Sequence, residues 1–478
     1  MVGGSNPPSS MLAKVADCSS AVEHFKLSPV IPGFYFPLID GDTMKTNSLS
    51  KHNTLETFEG GKAANLTAKE KLEHLVCSCL LWEDTFYENG ESIVDQISKA
   101  VDQCSVDDAM QIATKAKFDF KLRHAPLFVL VALANKLKDT KDKQKFNYHF
   151  VESFLTRADD MGELVSLYKK VAGDKAPIPN MFKKAIAKAF EKFSEYQLAK
   201  YSKKSAQYKL VDLVNLCHPK ASEAIGKLVN GELETPDTWE VAISAAGNDE
   251  KKKASEWKRL LTEDSLPDMA FLMNIRNIDN NVSNASKLIV ERIEKINCNK
   301  LLPIVFLRSG LANERYQVPL ENKFFDFFVG DKKTKGKTAI LVDISGSMDL
   351  YNLNYAYSLA MIAKEKYEDC DVFSFSNQLV KIKDLRGFKL LHEIDGSQGH
   401  CCTYLWNAIK VANEGEYDRI IVITDEQSHD SCDFKLNGQL YLINIASSVR
   451  SVECDKDVVK ITGFSDRVFD YIDANENK

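Results

Sequence analysis

Apolar residues follow two regimes along this chain, and the change comes near residue 335. From Leu66 to about Phe328 they recur every three or four residues in blocks parted by short polar breaks, the spacing of one helix face. The blocks predict helices over 72–82, 93–101, 106–116, 127–137, 150–156, 161–171, 181–201 and 210–216. Further blocks predict helices over 236–246, 252–261, 269–275, 285–296 and 300–311, with no convincing strand among them. A long run of helices with little else stacks as helix pairs, an α-solenoid, although no clean repeat length can be read. Beyond 336 the pattern turns to short continuous apolar runs at 337–343, 371–376, 420–424 and 439–446, alternating with helical spacing at 353–367 and 405–413. Strands alternating with helices predict a parallel sheet covered on both faces. The expected fold is therefore α plus α/β, a helical solenoid followed by a doubly wound sheet. Residues 1–51 show no sustained period beyond an apolar patch at 31–39, which predicts a partly mobile N-terminal arm.

Composition narrows the class. A chain of 478 residues exceeds one domain, and its 44% hydrophobic and 27% charged residues are ordinary for a globular protein. No apolar run approaches the roughly 20 residues that span a bilayer, and the first ten residues have no signal-peptide character, so a cytoplasmic protein without a membrane partner is expected. The 11 cysteines form no repeating frame and suit reduced thiols. Cys401, Cys402, Cys432, His400 and His429 cluster in sequence, but adjacent cysteines are poorly placed for one tetrahedral zinc ion and no Cys-x-x-Cys is present.

Charge is unevenly spread. The segment from Gly336 onward carries 15 basic against 23 acidic residues, whereas 169–227 holds 13 lysines against five acids. Within that basic stretch Phe182, Ile186, Phe190 and Phe193 keep core spacing, and Lys184, Lys188 and Lys192 form a separate stripe. Lysines bind phosphates as point charges, and the neighbouring Tyr and His side chains can stack on unpaired bases. A solvated helix exterior explains the same lysines equally well.

The densest chemistry lies at the ends of two apolar runs. Lys337-Thr-Ala-Ile-Leu-Val-Asp343 is followed by Ile344-Ser345-Gly346-Ser347, and 420–424 runs into Asp425. In open parallel sheets ligands sit beyond the carboxyl ends of the strands. Asp343, Ser345, Ser347, Asp425 and Thr403 supply oxygen ligands suited to a hard cation such as magnesium, with manganese and calcium as the other candidates. A capped turn is the alternative for Asp-x-Ser-x-Ser alone.

The segment from 337 to the end resembles a von Willebrand factor A domain, with Asp343-x-Ser345-x-Ser347 as its metal-ion-dependent adhesion motif. The resemblance implies that Thr403 and Asp425 complete the site, although Gly399-His-Cys-Cys-Thr403 lacks the glycines usual before the threonine. The helical part resembles a TROVE module through Gly60-Gly61, Leu81-Trp-Glu-Asp-Thr-Phe-Tyr87, Leu122-Arg-His-Ala-Pro-Leu127, Glu195-Tyr-Gln-Leu-Ala-Lys-Tyr201, Leu213-Val-Asn-Leu-Cys-His-Pro-Lys220 and Arg276-Asn277. Together the two halves resemble the Ro autoantigen family and its bacterial relatives, with a TROVE module over 52–335 and the A domain over 336–478.

That resemblance implies a ring of HEAT-like helical repeats closed by the A domain. It further implies a non-catalytic scaffold for noncoding RNA quality control, which binds Y RNA or a Y-like small RNA outside the ring and single-stranded 3′ ends of misfolded RNA within it. Lys200 and His218 match Y RNA contacts of the family, Lys220 joins them by proximity, and Arg123 and His124 match a motif at the ring; Lys184, Lys188 and Lys192 extend the basic surface. The implied partners also include an exoribonuclease such as polynucleotide phosphorylase and a protein carboxylate at the metal, with the protein acting as a monomer. A two-metal nuclease would need more carboxylates than Asp343 and Asp425. The competing reading is a protein-interaction adaptor that uses solenoid and metal site without RNA.

Overall fold

The computed structural model describes residues 55–81, 87, 89–138, 146–202, 206–330, 333–348, 350–455 and 457–476. The expected N-terminal arm, residues 1–51, lies outside them. The helical part runs α1 (Ala68–Cys77), α2 (Gly90–Gln103), α3 (Val106–Thr114), α4 (His124–Lys136), α5 (Tyr148–Phe154), α6 (Ala158–Ala172), α7 (Asn180–Phe190) and α8 (Glu195–Tyr201). It continues as α9 (Leu210–Cys217), α10 (Glu223–Asn230), α11 (Trp239–Ala245), α12 (Glu250–Thr262), α13 (Asp268–Asn281), α14 (Ser286–Glu294), α15 (Pro303–Ala312) and α16 (Gln317–Phe328). Helices pack on their neighbours, and alternate helices touch as well, as in α2 with α4, α4 with α6, α5 with α7 and α13 with α15. That two-layer stacking is a solenoid.

The single helix expected over 181–201 is two helices. Gln197 N donates to Ser194 Oγ (3.3 Å) while Ser194 N donates to Gln197 Oε1 (3.0 Å), a capping box that starts α8 afresh. Phe193 stays buried in the intervening turn, so apolar spacing continues through a break in the backbone. Lys192 therefore follows α7 rather than extending its stripe. Neither α10 nor α16 was expected; α10 buries only Ile225 and Leu228, too few to show a period.

The second part begins with β1 (Thr334–Asp343), two residues ahead of the boundary expected at 336, and continues with α17 (Leu350–Lys366), β2 (Tyr367–Phe375) and β3 (Leu379–Lys381). It ends with α18 (Gly387–Asp395), α19 (Leu405–Asn413), β4 (Arg419–Thr424), β5 (Gln439–Asn444), β6 (Val459–Thr462) and α20 (Val468–Glu476). The sheet order is β3-β2-β1-β4-β5-β6, parallel except for β3, a short antiparallel edge strand that was not expected. Alternation within the strands divides the core. Ile340, Val342, Ile421 and Ile423 join the cluster that runs on into the helical part, whereas Ala339, Leu341, Ile420 and Val422 pack with Leu405, Trp406 and Ile409 of α19. The order reverses direction between β1 and β4, so the crevice at a topological switch point opens where Asp343 and Asp425 lie.

Both ends of the solenoid rest on this second domain. At the far end Glu321 Oε1 of α16 accepts from Phe388 N (2.6 Å), and Arg386 lies 4.8 Å from the Phe325 ring. At the near end Asn444 Nδ2 lies 3.3 Å from His74 Nδ1 of α1, Ser447 Oγ donates to Ser78 O (2.9 Å), and Lys115 sits 4.0 Å from the Tyr471 ring. Phe120 approaches so closely that a Cβ at Gly463 (φ +139°) would lie 2.6 Å from its ring. The helical path is thereby closed into a ring by the α/β domain.

Candidate functional site

At the crevice, Ser345 N donates to Asp343 Oδ1 (2.9 Å) and Thr424 Oγ1 donates to Asp343 Oδ2 (2.6 Å). Ser345 and Ser347 hydroxyls lie 3.2 Å apart, and Gln427 N donates to Asp425 Oδ1 (3.0 Å). Asp343, Ser345, Ser347, Thr403 and Asp425 are all buried. The Thr403 loop is seated without the missing glycines: Gly346 N donates to Cys401 O (2.9 Å), and Ser376 Oγ accepts from Cys401 N (3.0 Å) while donating to Cys402 O (3.0 Å). Backbone contacts thus tie the loop to the Asp-x-Ser-x-Ser turn.

Burial pushes the Asp343 and Asp425 carboxyls above the ordinary carboxylate range. The charge of Asp343 adds to the shift at Asp425, whereas hydrogen bonds from Thr424 and Ser345 oppose it at Asp343. Among the described residues no Lys, Arg or His forms an ion pair with either group. Two buried carboxylates without an ion-pair partner are costly, and a hard divalent cation among the hydroxyls would offset that cost. The donor set fits magnesium. Zinc has no such place, because no three His, Cys, Asp or Glu side chains converge among the described residues.

The acids beside the crevice serve the fold. Glu426 is buried, with Lys460 Nζ at 2.9 Å, and Asp430 caps the start of α19 by accepting from Trp406 N (3.1 Å) and Asn407 N (2.7 Å). Asp349 lies outside the described residues.

The basic residues divide into two groups. Lys188 pairs with Glu191 (2.6 Å), and Lys192 pairs with Glu152 while donating to its carbonyl (3.0 Å), so two lysines of the expected stripe are partly neutralised. Lys184, Lys209, Lys220 and His218 are exposed and Lys200 partly so; among the described residues none of their side chains forms an ion pair, Lys209 meeting the Asp212 carboxylate only through its backbone amide (3.1 Å). His218 caps α9 with left-handed backbone (φ 49°), and its exposed ring is free to act as well. Arg123 and His124 differ in kind. Arg123 reaches Asp159 (2.8 Å) and Asp160 (2.9 Å), and His124 lies 3.1 Å from Glu163. Lys203 and Lys204 lie outside the described residues.

Three residues beside the Asp343 and Asp425 crevice were not singled out for it by sequence: Glu59, Tyr87 and His429. Tyr87 bonds Glu59 and stacks on Phe58 with ring centroids 4.6 Å apart, while His429 Nε2 pairs with Glu59 at 2.8 Å. No local pattern marks them, since they meet only when the helical part lies on the α/β domain.

Among solved structures, the chain is similar to the crystal structure of the Deinococcus radiodurans Ro (RSR) protein, with a TM-score of 0.54 and 14% identity. The match covers 84% of this chain and 97% of that one, so it includes both the helical ring and the domain that closes it. This chain has the Ro fold. No protein-family model and no curated protein sequence matches it. Within the Ro fold the switch-point crevice and the α7–α9 surface are the two places where this chain gathers chemistry.

Proposed function

We propose that this protein is a non-catalytic RNA-binding scaffold of Ro type. It holds a small structured RNA of Y type on the α7–α9 surface and admits single-stranded 3′ ends of misfolded noncoding RNA to the ring. One observation carries the reading: in a protein of net charge −6, Lys184, Lys200, Lys209, Lys220 and His218 fall on α7–α9 and the turns beside them, and their side chains form no ion pair among the described residues. Unpaired lysines release counterions when phosphates bind, whereas paired ones must first give up a carboxylate. Lys188 and Lys192 are accordingly secondary contacts.

In the same reading, Asp343, Ser345, Ser347, Thr403 and Asp425 would hold a magnesium ion. When bound, the ion supplies an electrophilic docking point for a carboxylate oxygen, suited to a protein partner such as an exoribonuclease. The protein's own residues set its position: Thr424 and the Ser345 amide orient Asp343, and the Gln427 amide orients Asp425.

The test is binding of a hairpin RNA, with and without a single-stranded 3′ tail, across a salt series. Both RNAs are expected to bind with a steep salt slope, with the tail adding affinity; Lys200→Ala and His218→Ala weaken binding and Asp343→Ala leaves it unchanged. Absence of binding at low salt would remove the RNA reading and leave the adaptor. Magnesium-dependent RNA loss that vanishes in Asp343→Ala would instead make the protein a nuclease.

A further inference from the structure

The near-end seam between the solenoid and the α/β domain holds one contact whose chemistry turns on a single proton. His74, in the last turn of α1, is 4% exposed, and its Nδ1 lies 3.3 Å from Asn444 Nδ2 at the end of β5. The other half of that amide settles its orientation. Ala446 N can only donate, and it donates to Asn444 Oδ1 (2.9 Å), so the Asn444 NH2 group faces the imidazole. Nδ1 is therefore the acceptor, and the ring is neutral with its proton on Nε2. Four residues on, Ser78 O accepts from Ser447 Oγ (2.9 Å), so the same end of β5 holds α1 at two points.

The surroundings disfavour a charge on this ring. The charged groups that face His74 are Glu70 and Glu73 on α1 itself, Glu426 in the loop after β4 and Lys460 of β6. Two of the carboxylates are already matched, Glu426 by Lys460 (2.9 Å) and Glu73 by Lys115, while Lys69 of α1 is held by Asp108 of α3 (2.7 Å). Burial holds the imidazole below the ordinary histidine range; Lys460 adds to that, and Glu426, Glu73 and Glu70 oppose it without reversing it.

We propose that the His74–Asn444 contact is a proton-operated latch: a proton on Nδ1 sets two donors against each other inside the seam, releases α1 from the end of β5 and opens the ring at its near end. The closed seam takes up that proton less readily than the open one. Closure is thus complete above about pH 6.5, the ordinary histidine value, and weakens as the pH falls below it. His429, a second histidine at this end, pairs with Glu59 (2.8 Å) and acts in the opposite sense, since its proton strengthens that pair. The inference is independent of the cation and RNA readings above.

The experiment measures hydrogen exchange of the full chain at about pH 7.5 and about pH 5.5, with the intrinsic pH dependence of exchange divided out. Ala64 N, which donates to Ser451 O (2.8 Å), and Glu453 N, which donates to Lys62 O (2.9 Å), report the near end; Phe388 N, which donates to Glu321 Oε1 (2.6 Å), reports the far end. In the wild type, protection of Ala64 and Glu453 is expected to fall severalfold in acid, to a ceiling of about tenfold for one proton over one pH unit, with Phe388 unchanged. His74→Gln keeps an acceptor for the Asn444 amide but does not titrate, and is expected to abolish the fall. Asn444→Asp keeps the acceptor for Ala446 N and places a carboxylate against Nδ1, so protection is expected to rise in acid instead; it also serves where His74→Gln does not fold. A fall that appears equally at Phe388, that persists in His74→Gln, that keeps its sign in Asn444→Asp, or that is absent from the wild type would overturn the latch.

Discussion

Arg123 separates a structural role from an RNA-contact role, and Arg123→Ala decides between them. Its guanidinium joins Asp159 (2.8 Å) and Asp160 (2.9 Å), of which Asp160 is wholly buried. Removing one partner of a buried ion pair costs about 3–5 kcal/mol, because a carboxylate is left without its countercharge. Two features reduce that here. The Arg123 side chain is 28% exposed, and Asp160 keeps the amides of Thr156 (3.1 Å) and Arg157 (3.0 Å), with Lys117 at 3.6 Å. Asp159 likewise keeps Arg157 at 2.8 Å. A loss of about 2 kcal/mol is therefore expected, equivalent to lowering the helical module's melting transition by roughly 4–8 °C. Calorimetry beside RNA titration reads both quantities, and Arg123→Lys should recover part of the stability. A variant that melts within about 1 °C of the wild type but binds RNA tenfold more weakly would refute the structural assignment.

The double variant Lys200→Ala/Lys220→Ala should reduce the slope of log affinity against log salt by about 1–2, one phosphate contact per lysine, whereas Asp343→Ala leaves the slope unchanged; equal slopes in all three would make these lysines a solvated face. Gly310→Ala should lower stability by about 1–2 kcal/mol although alanine is the better helix former, since its Cβ would overlap the buried Phe388 ring where α15 meets α18; a raised melting temperature would show that the ring yields freely. In chelator-treated protein, Asp425→Asn should stabilise more at pH 8 than at pH 5. The folded-state pKa of Asp425 is raised above its unfolded value, so the folded protein keeps that proton longer and loses stability as pH rises through the shifted range. Urea midpoints at the two pH values check the sign, and a gain independent of pH would deny the shift.

Much of the architecture is legible locally. The helical period predicts most of the stack, and apolar runs ending in Asp343 and before Asp425 predict strand ends at one edge, because amphipathic spacing and burial act within a few residues. The break between α7 and α8 was legible too, in Ser194-x-x-Gln197, but the core spacing of Phe190 and Phe193 continued across it and outweighed the cap. Short elements such as β3, β6 and α10 bury too few side chains to show a period. What charge remains available was decided by tertiary structure: Lys192 meets Glu152 and Arg123 meets Asp160 across 40 and 37 residues, pairings that no local pattern encodes. The seam between Glu59 and His429 lies farther still beyond sequence. It exists only because the solenoid curves back onto the α/β domain, and that curvature is the sum of many small packing angles between helices rather than a property of any one segment.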